Sequence, residues 1–419
     1  MTAEVARPFR FTPRLPRHLV TITAIAGPGL IAANAGNDAA GIATYASAGS
    51  QYRYDTLFFM LLVTVALIMV QEMAVRLGAT TGKGLAALIR EQFSLRLASL
   101  ALGCLVLANT GLVVSEFAGI GAAFSLLGLD RFVAIPIAAV LLWGLVVFGS
   151  YQKAQRVFLV LSLAFLAYPV AMVLGRPNWS SVGTHLVVPH MHASGAFILL
   201  GVALIGTTVS PYMQFYAAAG VVDRDTAPPL RHLRADAIIG AVFACLVSIT
   251  IIVATGTAIG GTGPLHDAAQ AALALRPAAG SGAATLFAVG LIGASALAAA
   301  VVPLSTSYAV GETVGVERSV SRRFSQAPLF LGLFTAQIVL GAAVAMTPVN
   351  VISLLIGSQV LQGLISPIVL VFILVLANRR SLLGEAANGR VYRLVAGTVV
   401  FAIAAMSTLL LGQTVAGWL

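Results

Sequence analysis

Charge is what this chain has least of. Only 9% of its 419 residues are Asp, Glu, Lys or Arg, against 59% hydrophobic, where a soluble domain carries about 25% charged residues. A water-facing surface cannot be built from that composition. Cysteine is nearly absent too. Cys104 and Cys245 both fall in apolar stretches, which argues against a disulfide framework. No glycine-rich phosphate loop follows a strand pattern, and Gly82-Lys83-Gly84 lacks the rest of such a motif. No nucleophile–base arrangement is present either, so nothing supports an enzyme. The first 20 residues hold Arg7, Arg10, Arg14 and Arg17, but no small-residue cleavage site follows a short apolar core, so no cleaved signal peptide is expected.

What is present is long apolar sequence, with a mean hydropathy of +0.97. Repeated apolar runs near 20 residues span a bilayer as helices. Eleven such spans are predicted, at 20–48, 56–80, 98–127, 131–150, 155–175, 195–219, 237–261, 282–311, 327–347, 350–378 and 393–415. The fold class is all-α and polytopic. The net charge of +10 suggests a nucleic-acid partner, but the basic residues sit in short loops between apolar runs, where they act as topology signals. With the N-terminus cytoplasmic, all but Arg53, Arg131, Arg176 and Arg276 of the 24 Lys and Arg fall on the inner side. That asymmetry sets residues 1–19 inside, places Leu419 outside and assigns the chain to the inner membrane.

One acid stands out because of where it lies. Asp38 interrupts the first apolar run, between Gly36 and Gly41 with only small residues around it. A charge at the bilayer centre costs about 2.5–3.5 kcal/mol on insertion scales. Glycine and small residues let a helix unwind and present backbone carbonyls. Asp38 therefore reads as a cation ligand at a helix break, or else as a buried acid that caps or pairs with a helix. Span six has its own interruption, Gly206-Thr207-Thr208-Val209-Ser210-Pro211-Tyr212-Met213-Gln214. Pro211 removes a backbone donor there. Broken helices at matching places in two five-helix halves point to a midplane transport site; a plain packing kink is the alternative for span six alone.

Other intramembrane polar residues carry two readings each. Glu116 is a proton acceptor or a contact for the ion's water, or a hydrogen-bonded structural acid. Glu72 and Arg76 form an i,i+4 pair on one helix face, or a gate contact. Gln359 and Gln362 suit a hydrated cation or interhelical hydrogen bonds. Asn34 and Asn37 bond the unwound backbone or the substrate. His185, His190 and His192 precede span six in what reads as a short loop without partner acids, and no metal site is assigned to them.

The segments Gly27-Pro-Gly29, Asp38, Thr81-Gly-Lys-Gly84, Ser115-Glu-Phe-Ala-Gly119 and Ser358-Gln-Val-Leu-Gln362 resemble the NRAMP divalent-metal transporters over nearly the whole chain. The resemblance implies an inverted five-helix repeat of the leucine-transporter type, with halves 20–175 and 195–378 followed by an eleventh helix. It also implies helices 1 and 6 unwound at the midplane. The departures are informative. The family's Asp-Pro-Gly-Asn is here Asp38-Ala39-Ala40-Gly41, and its Met-Pro-His-Asn is Ser210-Pro211-Tyr212-Met213. Both changes resemble the NRAMP-related magnesium transporters. The implied metal-ligating set is Asp38, the carbonyls of Gly41 and Thr207, Ser210, Glu116 and Gln359. Losing a thioether removes a soft donor, and Mg²⁺ keeps several of its waters. Tyr212 in place of His removes the usual group titrating near neutrality, so uptake without proton coupling is expected. No cofactor is expected, since Mg²⁺ or Mn²⁺ enters as substrate. The expected partners are the metal ion and the bilayer, with the chain a monomer.

Overall fold

The computed structural model describes residues 37–148, 157, 158, 160–222, 229–315, 324 and 326–416. The N-terminal tail, Gly27-Pro-Gly29, Asn34 and Leu419 lie outside these residues. Nearly everything described is helical, as it must be for segments that satisfy their backbone groups without water. The principal helices are α1 (Ala39–Tyr52), α2 (Leu57–Thr81), α3 (Leu85–Gln92), α4 (Leu95–Leu126), α5 (Arg131–Val147), α6 (Ala167–Leu174), α7 (Trp179–Val187), α8 (Gly195–Thr208), α9 (Pro211–Val222), α10 (Leu230–Ile259), α11 (Ala283–Val314), α12 (Pro328–Ala345), α13 (Val351–Asn378) and α14 (Arg390–Ala416).

Among the described residues, eight helical segments are long and apolar enough to cross a bilayer, with α8 and α9 together as one. Val160–Leu174 and Trp179–Val187, bent by 113°, make a ninth as a pair, and α5 is a shorter apolar helix. With α1 as the described part of the first span, these are the eleven spans expected. Span boundaries fall within a few residues of expectation, except that α10 begins seven residues before 237. Polar ends have local causes. Asp130 accepts from the Phe132 amide at 2.7 Å to start α5, and Ser94 accepts from the Leu97 amide to start α4. Cys104 on α4 and Cys245 on α10 are both free thiols.

Two segments differ from expectation. The connection before span six is not merely a loop. It contains α7, begun by Asn178, whose side chain accepts from the Ser181 amide. The connection after span two contains α3, whose entry explains a motif. Gly82 ends α2 with φ of 66°, a left-handed turn that glycine adopts without strain. The Gly84 amide then donates to Glu312 Oε1 at 3.2 Å, and a Cβ at residue 84 would lie 2.5 Å from Glu312 Oε2. The glycines of Thr81-Gly-Lys-Gly84 thus dock α3 against the end of α11.

The centre of the bundle is held by backbone contact. A Cβ on Gly206 of α8 would lie 1.9 Å from the Gln359 carbonyl of α13, and one on Gly363 of α13 would lie 2.1 Å from the Val202 carbonyl of α8. Only paired glycines allow two helices this close.

Candidate cation site at the broken helices

Helix α1 starts inside the protein, not at its surface. Asp38 is 3% exposed and caps α1, its Oδ1 accepting from the Gly41 amide at 2.6 Å. The capping and ligand readings of this acid are therefore compatible, because capping uses one oxygen of two and aligns the carboxylate with the positive end of the helix. Beside it, Asn37 Oδ1 accepts from Ser248 Oγ on α10 at 3.3 Å.

The second break lies between α8 and α9. Pro211 has no N–H to give the Thr207 carbonyl, which instead accepts from Ser210 Oγ at 3.4 Å. Ser210 Oγ also donates to the Gly206 carbonyl. Ser366 Oγ on α13 donates to the Val209 carbonyl at 3.0 Å. Hydroxyls thus take over carbonyls that the helix releases, the usual way a membrane helix tolerates proline.

The two breaks meet. Tyr45, two turns after Asp38, shares a hydrogen bond of 3.0 Å with Thr208 Oγ1 at the end of α8. Tyr212, in the first turn of α9, sits within electrostatic reach of Asp38, Glu116 and Tyr45. Glu116 on α4 is fully buried, and its carboxyl faces Asp38, the Ala39 amide and Ser295 Oγ of α11 without closing a hydrogen bond. One turn on, a Cβ at Gly119 would lie 2.5 Å from Ala39 Cβ and 2.7 Å from Ser295 Oγ, so α4 presses directly on the start of α1. Gln359 on α13 and Gln214 on α9 are fully buried, and neither side-chain amide has a hydrogen-bond partner. A buried amide left this way costs about 1–3 kcal/mol.

Of the expected ligand set, Asp38, Glu116, Thr207 and Ser210 gather around the two breaks, and Gln359 abuts Gly206 through its backbone. Gly41 lies in the first turn of α1, its amide committed to Asp38. Gln362 serves packing, its Nε2 donating to the Ala108 carbonyl at 3.1 Å. Tyr45, Ser248 and Ser295 were not singled out from the sequence. The i+7 spacing from Asp38 marks Tyr45 as sharing a face with it; Ser248 and Ser295 come from distant spans with no local signal. The described residues contain no group of three or more His, Cys, Asp or Glu arranged to hold a metal, so any cation here relies on carboxylates together with carbonyls, hydroxyls, amides and water.

Two half-helices meeting at a buried acid inside an eleven-span bundle define a polytopic membrane protein of the broken-helix class. The fold of MhsT, solved in complex with L-phenylalanine, matches it with a TM-score of 0.54 at 14% identity, over 88% of this chain and 96% of that one. A manganese transporter of Eremococcus coleocola, in complex with an aromatic bis-isothiourea substituted compound, matches with a TM-score of 0.75 at 18% identity, over 97% and 90%. Residues 29–413 match the family model described as natural resistance-associated macrophage protein-like. The chain belongs to this Nramp family. Curated relatives include the divalent metal cation transporter MntH of Ralstonia nicotianae, 29% identical with 94% of this chain and 91% of the relative covered. The MntH of Deinococcus radiodurans is 27% identical, with 96% and 92% covered.

Proposed function

We propose that this protein is a secondary-type divalent-cation transporter that imports Mg²⁺ with much of its water retained, and Mn²⁺ as a second substrate, by alternating access. The halves that alternate are 20–175 and 195–378, with the N-terminus cytoplasmic. The observation that carries the reading is the buried Asp38 carboxylate at the N-cap of α1, facing the α8–α9 break. Relatives named as divalent metal cation transporters support the cation class. Support for a hard, hydrated ion comes from the donors. Ser210 stands where the family pattern has a thioether, and the remaining groups are oxygens and amides, which suit Mg²⁺. The inside-negative potential supplies about 4.6 kcal/mol per 100 mV for a divalent ion, enough to drive uptake without a coupled proton.

A second reading, proton-coupled Mn²⁺ transport, is favoured by one specific feature, the Glu116 carboxyl facing Asp38. Two neighbouring acids share protons readily. Liposomes containing only this protein separate the two. The proposal expects Mg²⁺ uptake, competed by Mn²⁺, abolished in Asp38→Ala, with no pH change coupled to the flux. Mn²⁺ uptake that excess Mg²⁺ leaves untouched and that carries protons would establish the second reading.

A further inference from the structure

Two of the three histidines before α8 do have a partner acid. Asp55, in the corner between α1 and α2, lies 3.2 Å from His185 Nε2 through Oδ1 and 2.7 Å from His192 Nε2 through Oδ2. His185 is on α7 and His192 is three residues before α8. One carboxylate therefore ties the far end of α1 to the segment that leads into α8, the same two half-helices that meet at Asp38. Residues 53–56 are themselves bolted to α10. Arg53 Nε donates to the Gly260 carbonyl at 3.1 Å, and Tyr54 OH shares a hydrogen bond of 2.8 Å with Thr257.

The two contacts differ in kind. His185 Nδ1 lies 2.7 Å from the Ser181 carbonyl. A carbonyl only accepts, so Nδ1 must carry a proton there. In neutral His185 that leaves a lone pair on Nε2, aimed at an anionic oxygen. Only the imidazolium can donate from Nε2 to Asp55. His192 has no such commitment, and its neutral Nε2–H tautomer can donate to Asp55 as it stands. His190 stacks on His185 with ring centroids 4.1 Å apart, its Nδ1 donating to the Val188 carbonyl at 2.9 Å. Tyr54 meets His185 edge-on at 6.1 Å, and Tyr52 lies 5.4 Å from His192. With Arg53, these are the titratable and charged groups that the corner, α7 and residues 188–194 bring to Asp55.

We infer that Asp55, His185 and His192 form a proton-operated strap that sets how firmly the far ends of α1 and α8 are held together. Taking up one proton from solvent at Nε2 of His185 closes the strap. Losing it turns the contact repulsive and releases α7 from the corner. Histidine is the side chain that ordinarily changes charge between pH 5 and 8, so the strap is closed at the acid end and open at the alkaline end. Asp55 and His185 act on transport by positioning α1 and α8. That consequence rests on the transport reading above, whereas the strap itself does not.

Hydrogen exchange of the full chain in lipid nanodiscs, at about pH 5.5 and about pH 8 and corrected for intrinsic rates, tests it. Amides of residues 50–56 and 180–197 are expected to exchange about threefold to tenfold more slowly at the lower pH, the size of one or two partly exposed ion pairs. H185Q reduces that difference, and the double variant H185Q/H192Q abolishes it. H192Q alone raises exchange at both pH values and keeps part of the difference. Amides of α2 serve as the fold control, unchanged in every variant. The transport-dead Asp38→Ala protein keeps the full pH response, which separates this inference from the assignment of the cation site. Equal corrected exchange at both pH values in the parent protein, or a difference that survives H185Q/H192Q, overturns the strap.

Discussion

At the scale of single residues, Asp38 has two jobs that substitution can separate. Its Oδ1 caps α1 through the Gly41 amide, and its charge faces the site. Asp38→Asn keeps an oxygen for the cap, because Asn is as good an N-cap as Asp, but removes the charge. Uptake is expected to vanish in Asp38→Asn while thermal stability in detergent holds or rises, since the cap is kept and a buried charge has been taken away. Asp38→Ala loses both, and is expected to lower stability by about 1 kcal/mol as well. An Asn variant that transports at the parental rate would remove Asp38 from the ligand set. Asp38 was legible in the sequence because an acid in an apolar run is expensive and demands a reason. Ser295 and Ser248 were not, because a serine in a membrane helix costs little and its partner is set only when distant spans pack. Asp55 escaped for the same reason. Its partners lie 130 and 137 positions away, and no local pattern connects them.

At the scale of elements, the informative one is the break at Val209 and Ser210. Pro211 made it readable in advance, since a proline that removes a donor and lies among hydroxylated residues has few other uses in a span. What the sequence could not show is how the loose carbonyls are shared. The Val209 carbonyl shares the Ser366 hydroxyl, 157 residues away on α13, with the Gln362 carbonyl of that helix. Ser366→Ala leaves it buried without that donor. A loss of about 1–3 kcal/mol of stability is expected, read as a lower unfolding temperature in detergent, with a smaller penalty in Ser366→Thr. Helices α3 and α7 were missed because both are short, and a pattern of eight or nine residues between long apolar runs looks like a connection. Once seen, their boundaries make local sense, with Gly84 and Asn178 as the residues before each.

For the whole molecule, the ends of the spans matter as much as the centre. The Glu72–Arg76 pair reads in the sequence as a single-helix contact, yet it is the hub of a joint between three spans. Glu72 Oε2 accepts from Arg76 Nη2 and from Tyr392 OH, each at 3.0 Å, and Oε1 lies 2.8 Å from Arg234 Nε on α10. Arg76 also donates to Asn388 Oδ1 at 2.6 Å and to the Ala386 carbonyl. This joins α2, α10 and the turn into α14. Because the Glu72 and Arg76 side chains are both under 10% exposed, removing one charge strands the others. Glu72→Gln is expected to cost about 3–5 kcal/mol, with α14 amides gaining hydrogen exchange first. A variant that unfolds at the parental temperature would mean the joint is decoration. The count of spans and the all-helical class were legible throughout, because the bilayer permits few alternatives; the joints between spans were not, because each is written in pieces far apart along the chain.

The glycine pair that brings α8 and α13 together has a consequence for motion. Side chains let helices slide or tilt by changing rotamers, but here carbonyl meets Cα with nothing in between. Such a seam has no slack to give up in small steps. Helices α8 and α13 are therefore expected to move as one gear instead of sliding past each other.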